Sequence, residues 1–114
     1  MPRFDEMISS PARLAILATL VPGDAVRFTA VKEATGLADG NLHVQTRKLA
    51  AAGYLEIAKG RRGGRRVTEF RITELGLERF RAHVRQLQEV LDTEVGIFRP
   101  VPAARRGDDS EVWS

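Results

Sequence analysis

The sequence contains no cysteine and no long apolar run. The absence of cysteine excludes disulfide bonds, thiolate metal sites and cysteine nucleophiles. Its two histidines, His43 and His83, lie far apart in the chain and do not have metal-ligand spacing. No apolar stretch approaches the roughly 20 residues that span a bilayer, and the N-terminal residues lack the apolar core of an export signal. We therefore expect a cytoplasmic protein with no membrane segment.

Catalytic motifs and aromatic stacking residues are also scarce. No Ser-His-Asp set, phosphate-binding loop or metal-ligand spacing is present, so we predict neither an enzyme nor a cofactor. With 6% aromatic residues, the stacking platform that single-stranded RNA requires is missing, which makes RNA a less favoured partner. The acidic residues near the last predicted helix are most simply its solvated face: Glu74, Glu78, Glu89, Asp92 and Glu94.

Positive charge, by contrast, is concentrated in one segment. The 114 residues carry a formal net charge of +3 and suit a single domain. Between Lys59 and Arg71, however, six basic residues stand against the single acid Glu69, so the rest of the chain is net negative. Such a local excess of arginine favours a polyanionic partner.

The first half of the chain predicts helices joined by short turns. Ser10 can cap a helix that begins at Pro11, and Gly36 ends a short second helix over about 29–34. A brief extended segment is expected over 25–28, after the break at 22–24. The apolar stripe of the first helix consists of Leu14, Ile16, Leu17 and Leu20.

A third helix is predicted from about Asp39 to Ala52, directly after a tight turn over 37–40, and Gly53 ends it. Helical spacing places Leu42, Thr46, Leu49 and Gly53 on the inward face. At about 100° per residue, the opposite face and its flanks present a different set of residues to solvent. The candidate DNA-binding residues of this helix are Gly40, Asn41, His43, Val44, Arg47 and Lys48, and Ala51 shares their face.

Two of these side chains have the chemistry of direct base recognition. Arg47 can donate two parallel hydrogen bonds to guanine, and Val44 can contact a thymine methyl group. On an isolated helix, Arg47 and Lys48 would more simply be a solvated face, but their position between a helix-turn and a basic hairpin favours DNA. His43 is open to two interpretations, a DNA contact or an ordinary polar surface residue.

A β-hairpin with a basic tip follows the third helix. Alternation predicts strands over 54–58 and 66–72 with a turn from Gly60 to Gly64, and it places Thr68, Phe70 and Ile72 on one side of the second strand. The glycines allow close approach of the backbone to a phosphate chain, although a solubilising tip is the alternative. The candidate phosphate-binding residues of this segment, 59–66, are Lys59, Arg61, Arg62, Arg65 and Arg66.

The last predicted helix runs from a Thr73 cap to about Asp92, with His83 in a structural role. Its apolar residues step by three and four, which is a heptad seam typical of a helix that faces another helix. We expect a homodimer through this seam, with Phe4, Met7 and Ile8 packed alongside it. The folded domain should cover 1–95, and 96–114, which includes Trp113, is interpreted as a tail. The seam consists of Leu77, Phe80, Val84, Leu87 and Leu91.

The element order and four short motifs resemble the small stand-alone winged helix regulators related to the MarR and ArsR families, over roughly residues 4–92. The implied fold is α+β and mainly α, a winged helix-turn-helix with a three-helix core, a β-hairpin wing and a long C-terminal dimerisation helix. The motifs are Ser10-Pro11-x-Arg13-Leu14-x-Ile16-Leu17, Gly36-Leu37-x-x-Gly40-Asn41-Leu42, Lys48-Leu49-x-x-Ala52-Gly53-Tyr54-Leu55 and Ile72-Thr73-x-x-Gly76.

This resemblance implies a dimer that binds palindromic double-stranded DNA, most often as a repressor, with the third helix in the major groove and the wing against backbone or minor groove. Relatives often carry His and Leu where this chain has Gln45 and Thr46, which alters the expected base contacts. No residue indicates an effector ligand, although the resemblance leaves room for a pocket near the dimer helices. The rival hypothesis is a winged helix module that binds an acidic protein without specific DNA binding.

Overall fold

The computed structural model describes residues 5–93, which form five helices and one three-stranded antiparallel sheet. The expectations for Phe4, Glu94, Trp113 and the tail lie outside these residues. The elements are α1 (Glu6–Ser9), α2 (Pro11–Leu20), β1 (Val26–Arg27), α3 (Phe28–Thr35), α4 (Asp39–Ala51), β2 (Leu55–Arg62), β3 (Arg65–Ile72) and α5 (Glu74–Thr93).

The start of α2 confirms the predicted cap. The Ser10 hydroxyl accepts a hydrogen bond from the Arg13 backbone N–H at 3.4 Å, and Pro11 occupies the first turn. The short helix α1 was not predicted from the sequence. Asp5 caps it by accepting from the Met7 N–H at 2.9 Å, and Ile8 is completely buried.

Helices α3 and α4 form the predicted helix-turn-helix, with small differences at their ends. Leu42, Thr46 and Leu49 are buried as predicted, and the Thr46 hydroxyl donates to the Leu42 carbonyl at 2.8 Å. Gly53 is not on the inward face as expected, because it lies beyond the last residue of α4, is exposed and has a φ of 84°. A left-handed residue after a helix reverses the chain direction, so Gly53 ends the helix, as the sequence also predicted.

The sheet has the strand order β1-β3-β2, and its hairpin turn is shorter than predicted. Gly60 does not belong to the turn, because it pairs with Val67 within the ladder. The strands continue to Arg62 and Arg65, and only Gly63 and Gly64 connect them, with φ angles of 58° and 80°. Two-residue hairpin turns with positive φ at both positions match the twist of the strands, and glycine adopts this conformation without strain.

A single apolar core joins the helices to the buried side of the hairpin. Phe70 and Ile72 face this core as the alternation predicted, with Phe70 opposite Ile57 and Ile72 opposite Leu55. This arrangement confirms the winged helix-turn-helix fold. The buried apolar residues are Ile8, Ile16, Leu17, Leu20, Val31, Leu42, Leu49, Tyr54, Leu55, Phe70 and Ile72.

Helix α5 begins at the predicted cap, but its apolar seam has two different environments. The Thr73 hydroxyl accepts from the Gly76 N–H at 2.9 Å and donates to the Gly53 carbonyl at 2.6 Å. Leu77 and Phe80 pack against the core of their own chain. Val84 is half-buried, whereas Leu87 and Leu91 are 40% and 49% exposed. His83 is buried, in keeping with its structural interpretation.

Candidate nucleic-acid interface

The outward face of α4 carries the side chains that the sequence predicted for it. Val44 is 49% exposed despite being apolar, although β-branched residues of this kind are usually buried. Leu42, Thr46 and Leu49 hold the opposite face of the helix in the core, so the outward set has a defined orientation. The exposed residues are Gly40, Asn41, His43, Val44, Arg47, Lys48 and Ala51.

The acidic residue at the start of α4 has a cationic partner. Lys32 of α3 lies 2.8 Å from the Asp39 carboxylate, which is in the first turn of α4. Both side chains are largely exposed, so the pair contributes little to folding stability. Its relevance is local, because it offsets a negative charge at the end of the helix that would enter the groove.

The wing brings four arginines together around its two-glycine turn. Arg61 lies opposite Arg66, and Arg62 lies opposite Arg65, in the hydrogen-bonded ladder. Like charges directly opposite each other destabilise a sheet, and a bound anion would relieve this repulsion. The hairpin therefore concentrates positive charge more tightly than the sequence spacing indicated.

The four wing arginines differ in their contacts. The Arg62 guanidinium contacts both Glu69 carboxylate oxygens, at 3.2 and 3.3 Å, and Arg61 donates to the Gly64 carbonyl at 3.2 Å. Within residues 5–93, Arg65 and Arg66 form no hydrogen bond or ion pair through their side chains. These two arginines, with the exposed Lys59, are the wing cations most available to a phosphate.

A cleft of about 430 Å³ lies between α4 and the wing. His43 contributes to it from α4, and its ring lies against Phe28, with ring centroids 4.6 Å apart. The ring centroid of Phe28 in turn lies 6.0 Å from that of the core residue Phe70, so the core supports the position of His43. The lining residues are Arg27, Phe28, Thr29, His43, Arg62, Arg65, Arg66, Val67 and Thr68.

Sequence reasoning did not identify Arg27, Thr29 and Thr68 as part of this surface. Arg27 reaches the cleft because β1 pairs with β3, with Arg27 opposite Glu69. Strand pairing over this distance leaves no local sequence signal.

Metal and membrane features are absent from the part of the chain that the structure describes. Within residues 5–93, no three His, Asp or Glu side chains are close enough to hold a metal ion. No helix in this range is sufficiently long and apolar to cross a bilayer.

Comparison with known families identifies the fold. Residues 12–91 match the family model described as the winged helix DNA-binding domain. The chain belongs to this family. An uncharacterized protein of Methanocaldococcus jannaschii is 31% identical to this winged helix chain over 85 residues, which cover 75% of this chain and 92% of that protein.

Several solved structures similar to this winged helix protein are described as transcriptional regulators. A transcriptional regulator homologue from Pyrococcus horikoshii OT3 superimposes with a TM-score of 0.71 at 27% identity, covering 77% of this chain and 87% of that one. The PcaV transcriptional regulator of Streptomyces coelicolor gives 0.69 at 23% identity, over 83% and 68%. A structure from Porphyromonas gingivalis W83, described as a putative regulator of the MarR family, gives 0.61 at 15% identity, over 79% and 95%. The family is thus that of winged helix DNA-binding domains, and the fold is shared with transcriptional regulators.

Proposed function

We propose that this winged helix protein is a dimeric transcriptional regulator that binds specific double-stranded DNA sites and represses by occupying a promoter. The observation that supports it best is the cleft that His43 of α4 shares with three wing arginines. The cleft brings His43, on the outward face of α4, beside Arg62, Arg65 and Arg66 of the wing. When α4 lies in a major groove, the DNA backbone that separates this groove from the adjoining minor groove would lie along the cleft.

In this proposal, α4 recognises bases and the wing holds phosphates. Arg47 donates to a guanine edge in the major groove, and Val44 contacts a thymine methyl group. Arg65, Arg66 and Lys59 contact phosphates, which position the protein without specifying sequence. The cleft adds Arg27 to these phosphate contacts.

The proposal of a dimer is supported by the distal half of α5. Leu87 and Leu91 belong to the heptad seam of α5 and are exposed, whereas Leu77 and Phe80 of the same seam pack against the core of their own chain. Burial of exposed leucines against the same helix of a second copy would remove them from water. A symmetric dimer would bind a palindromic site with half-sites about 10 base pairs apart, or a multiple of this spacing.

Selection from a pool of randomised duplexes tests this function. We expect the wild-type chain to enrich a palindromic motif, and Arg47→Ala to lose about 1–3 kcal/mol of binding free energy on that motif but little on random DNA. Arg81→Ala, which removes an exposed arginine of α5, is the matched control and should bind the motif as wild type does. Failure to enrich any motif would contradict the proposal and favour an acidic protein partner. Equal losses on both duplexes would make Arg47 a phosphate contact.

A further inference from the structure

Arg13 connects the N-terminal segment to the proposed recognition helix α4. Its guanidinium donates to three acceptors: from Nε to the Met7 carbonyl at 2.6 Å, from Nη2 to the Glu6 carbonyl at 3.3 Å, and from Nη1 to Gln45 Oε1 at 2.7 Å. The Arg13 side chain is thus held at one end by α1 while its other end contacts α4.

Donor and acceptor chemistry determines how the next two side chains are oriented. Arginine has only donors, so the amide of Gln45 must turn its oxygen toward Arg13. The Gln45 nitrogen then faces Asn41, one turn earlier, and donates to Asn41 Oδ1 at 3.0 Å. This bond in turn directs the Asn41 oxygen toward Gln45. Within residues 5–93, the Asn41 side-chain nitrogen donates to no protein acceptor.

We propose that Arg13 and Gln45 are positioning residues that make Asn41 a hydrogen-bond donor toward DNA and thereby determine base preference at one operator position. The inference rests on the proposed function and extends it, because it assigns a polarity to one contact. Asn41 lies in the first turn of α4, and the first turns of a recognition helix contact base edges.

A fixed donor discriminates between the bases of a G·C pair. Guanine presents two acceptors in the major groove, O6 and N7, whereas cytosine presents the N4 donor. An outward Asn41 nitrogen therefore binds guanine and opposes cytosine. Since one net hydrogen bond corresponds to about twofold to tenfold in affinity, we expect a preference for guanine over cytosine of about that size.

Gln45→Glu reverses this polarity with a minimal change in shape. The introduced carboxylate still accepts from Arg13, but it has no donor for Asn41. Asn41 then turns its nitrogen toward that carboxylate and presents its oxygen to the groove. At a G·C pair, the preference should therefore reverse from guanine to cytosine, which presents the N4 donor.

The experiment selects DNA from a randomised duplex pool with wild type, Gln45→Glu and Asn41→Ala, using the full chain. Asn41→Ala identifies the base pair that Asn41 contacts, because preference is lost there. Gln88→Glu on α5 is the control for the amide-to-carboxylate change, and binding to random duplex measures the general effect of added charge. Arg13→Met provides a second test, since a released Gln45 amide should leave guanine and cytosine nearly equal at that pair.

The possible outcomes separate this inference from the proposed function. A guanine preference that shifts with Gln45→Glu supports the relay, because a loss of folding or of general affinity would not change which base is preferred. Three results would overturn this inference and leave the proposed function in place. Gln45→Glu could retain the guanine preference, Asn41→Ala could change no position of the motif, or the wild type could prefer cytosine. Failure of the wild-type chain to enrich any motif would overturn the proposed function itself.

Discussion

The Tyr54 hydroxyl donates a hydrogen bond to the Asp5 carboxylate at 2.6 Å, across 49 positions of sequence. Arg79 of α5 completes the contact, with its guanidinium 3.4 Å from the Tyr54 oxygen and 3.7 Å from Asp5 Oδ2. The three residues join the start of the described chain, the end of the helix-turn-helix and the first turns of α5. The orientation of α5 relative to α4 therefore depends on a polar contact as well as on the apolar core.

Tyr54→Phe should lower the free energy of unfolding by about 0.5–1.5 kcal/mol at neutral pH, the net value of one hydrogen bond. Burial raises the pKa of Tyr54 above its ordinary value of 10.0, and the hydrogen bond to Asp5 and the Asp5 charge add to this shift, while Arg79 opposes it. The folded state thus favours the protonated phenol, so its contribution is complete below about pH 10 and is lost as the pH rises through the folded pKa.

Urea unfolding at neutral and alkaline pH measures this difference. Because the sequence has a single tyrosine, tyrosinate absorbance reports Tyr54 alone. The stability of wild type and Tyr54→Phe should converge at alkaline pH. A constant difference across that range would show that the hydrogen bond does not depend on the phenol proton.

Gly76→Ala should destabilise the fold, because a Cβ at this position would overlap the Tyr54 carbonyl oxygen and press on the Ile72 side chain. Backbone atoms cannot move aside cheaply in a packed domain, so we expect a loss of about 1–3 kcal/mol. Gly40→Ala is the matched control. Gly40 is also helical, and a Cβ added there meets open space, so the substitution should be neutral or stabilising by up to about 1 kcal/mol. Thermal unfolding by circular dichroism compares the two. Similar melting temperatures for both variants would contradict the proposed overlap.

Leu87→Asp should weaken a dimer by at least about tenfold while leaving the fold of each chain intact. The side chain is 40% exposed in a single chain, so a carboxylate there is tolerated until a second copy buries it without a partner. Leu75→Asp serves as the control, since Leu75 is 37% exposed and lies outside the seam. Sedimentation equilibrium at micromolar concentration measures the effect. A monomeric wild-type chain would rule out the dimer.

Loss of wing arginines should reduce the salt dependence of DNA binding. Each phosphate contact contributes about 0.9 to the slope of log K against log salt concentration. The double variant Arg65→Ala with Arg66→Ala should make the slope shallower by the contribution of about two phosphate contacts per subunit. Its loss of affinity should be similar on cognate and random duplexes. Arg81→Ala with Arg85→Ala removes the same charge from α5 and should leave the slope nearly unchanged. If the two double variants have the same slope, the wing does not hold phosphates.

A variant with alanine at all four arginines around the turn, Arg61, Arg62, Arg65 and Arg66, extends this test to Arg61 and Arg62. The variant should fold, because Phe70 and Ile72 carry the core face of the hairpin. Arg62 already contacts Glu69, so its removal should change the slope less than removal of Arg65 does. Larger losses on A·T-rich flanks would indicate an arginine in a narrow minor groove.

Local sequence was sufficient for the helix caps, the strand alternation and the exposed face of α4. Ser10 and Thr73 bond to backbone groups three residues away, and Leu42, Thr46 and Leu49 follow the period of a single helix. These features depend on hydrogen bonds and torsion angles within one or two turns. The winged helix fold was predictable for this reason, since Ser10 and Thr73 begin α2 and α5, and Gly36 and Gly53 follow the ends of α3 and α4.

Tertiary packing decided the features that join distant parts of the chain. The heptad seam of α5 is uniformly apolar in sequence. In the fold, however, Leu77 and Phe80 pack against the core, whereas Leu87 and Leu91 stay exposed. The bond between Arg13 and Gln45 spans 32 positions and sets the orientation of an amide that sequence periodicity cannot specify. In each case the partner is chosen by how helices pack around a shared core, because a side chain's own neighbours in sequence do not determine which acceptor or apolar surface lies within its reach.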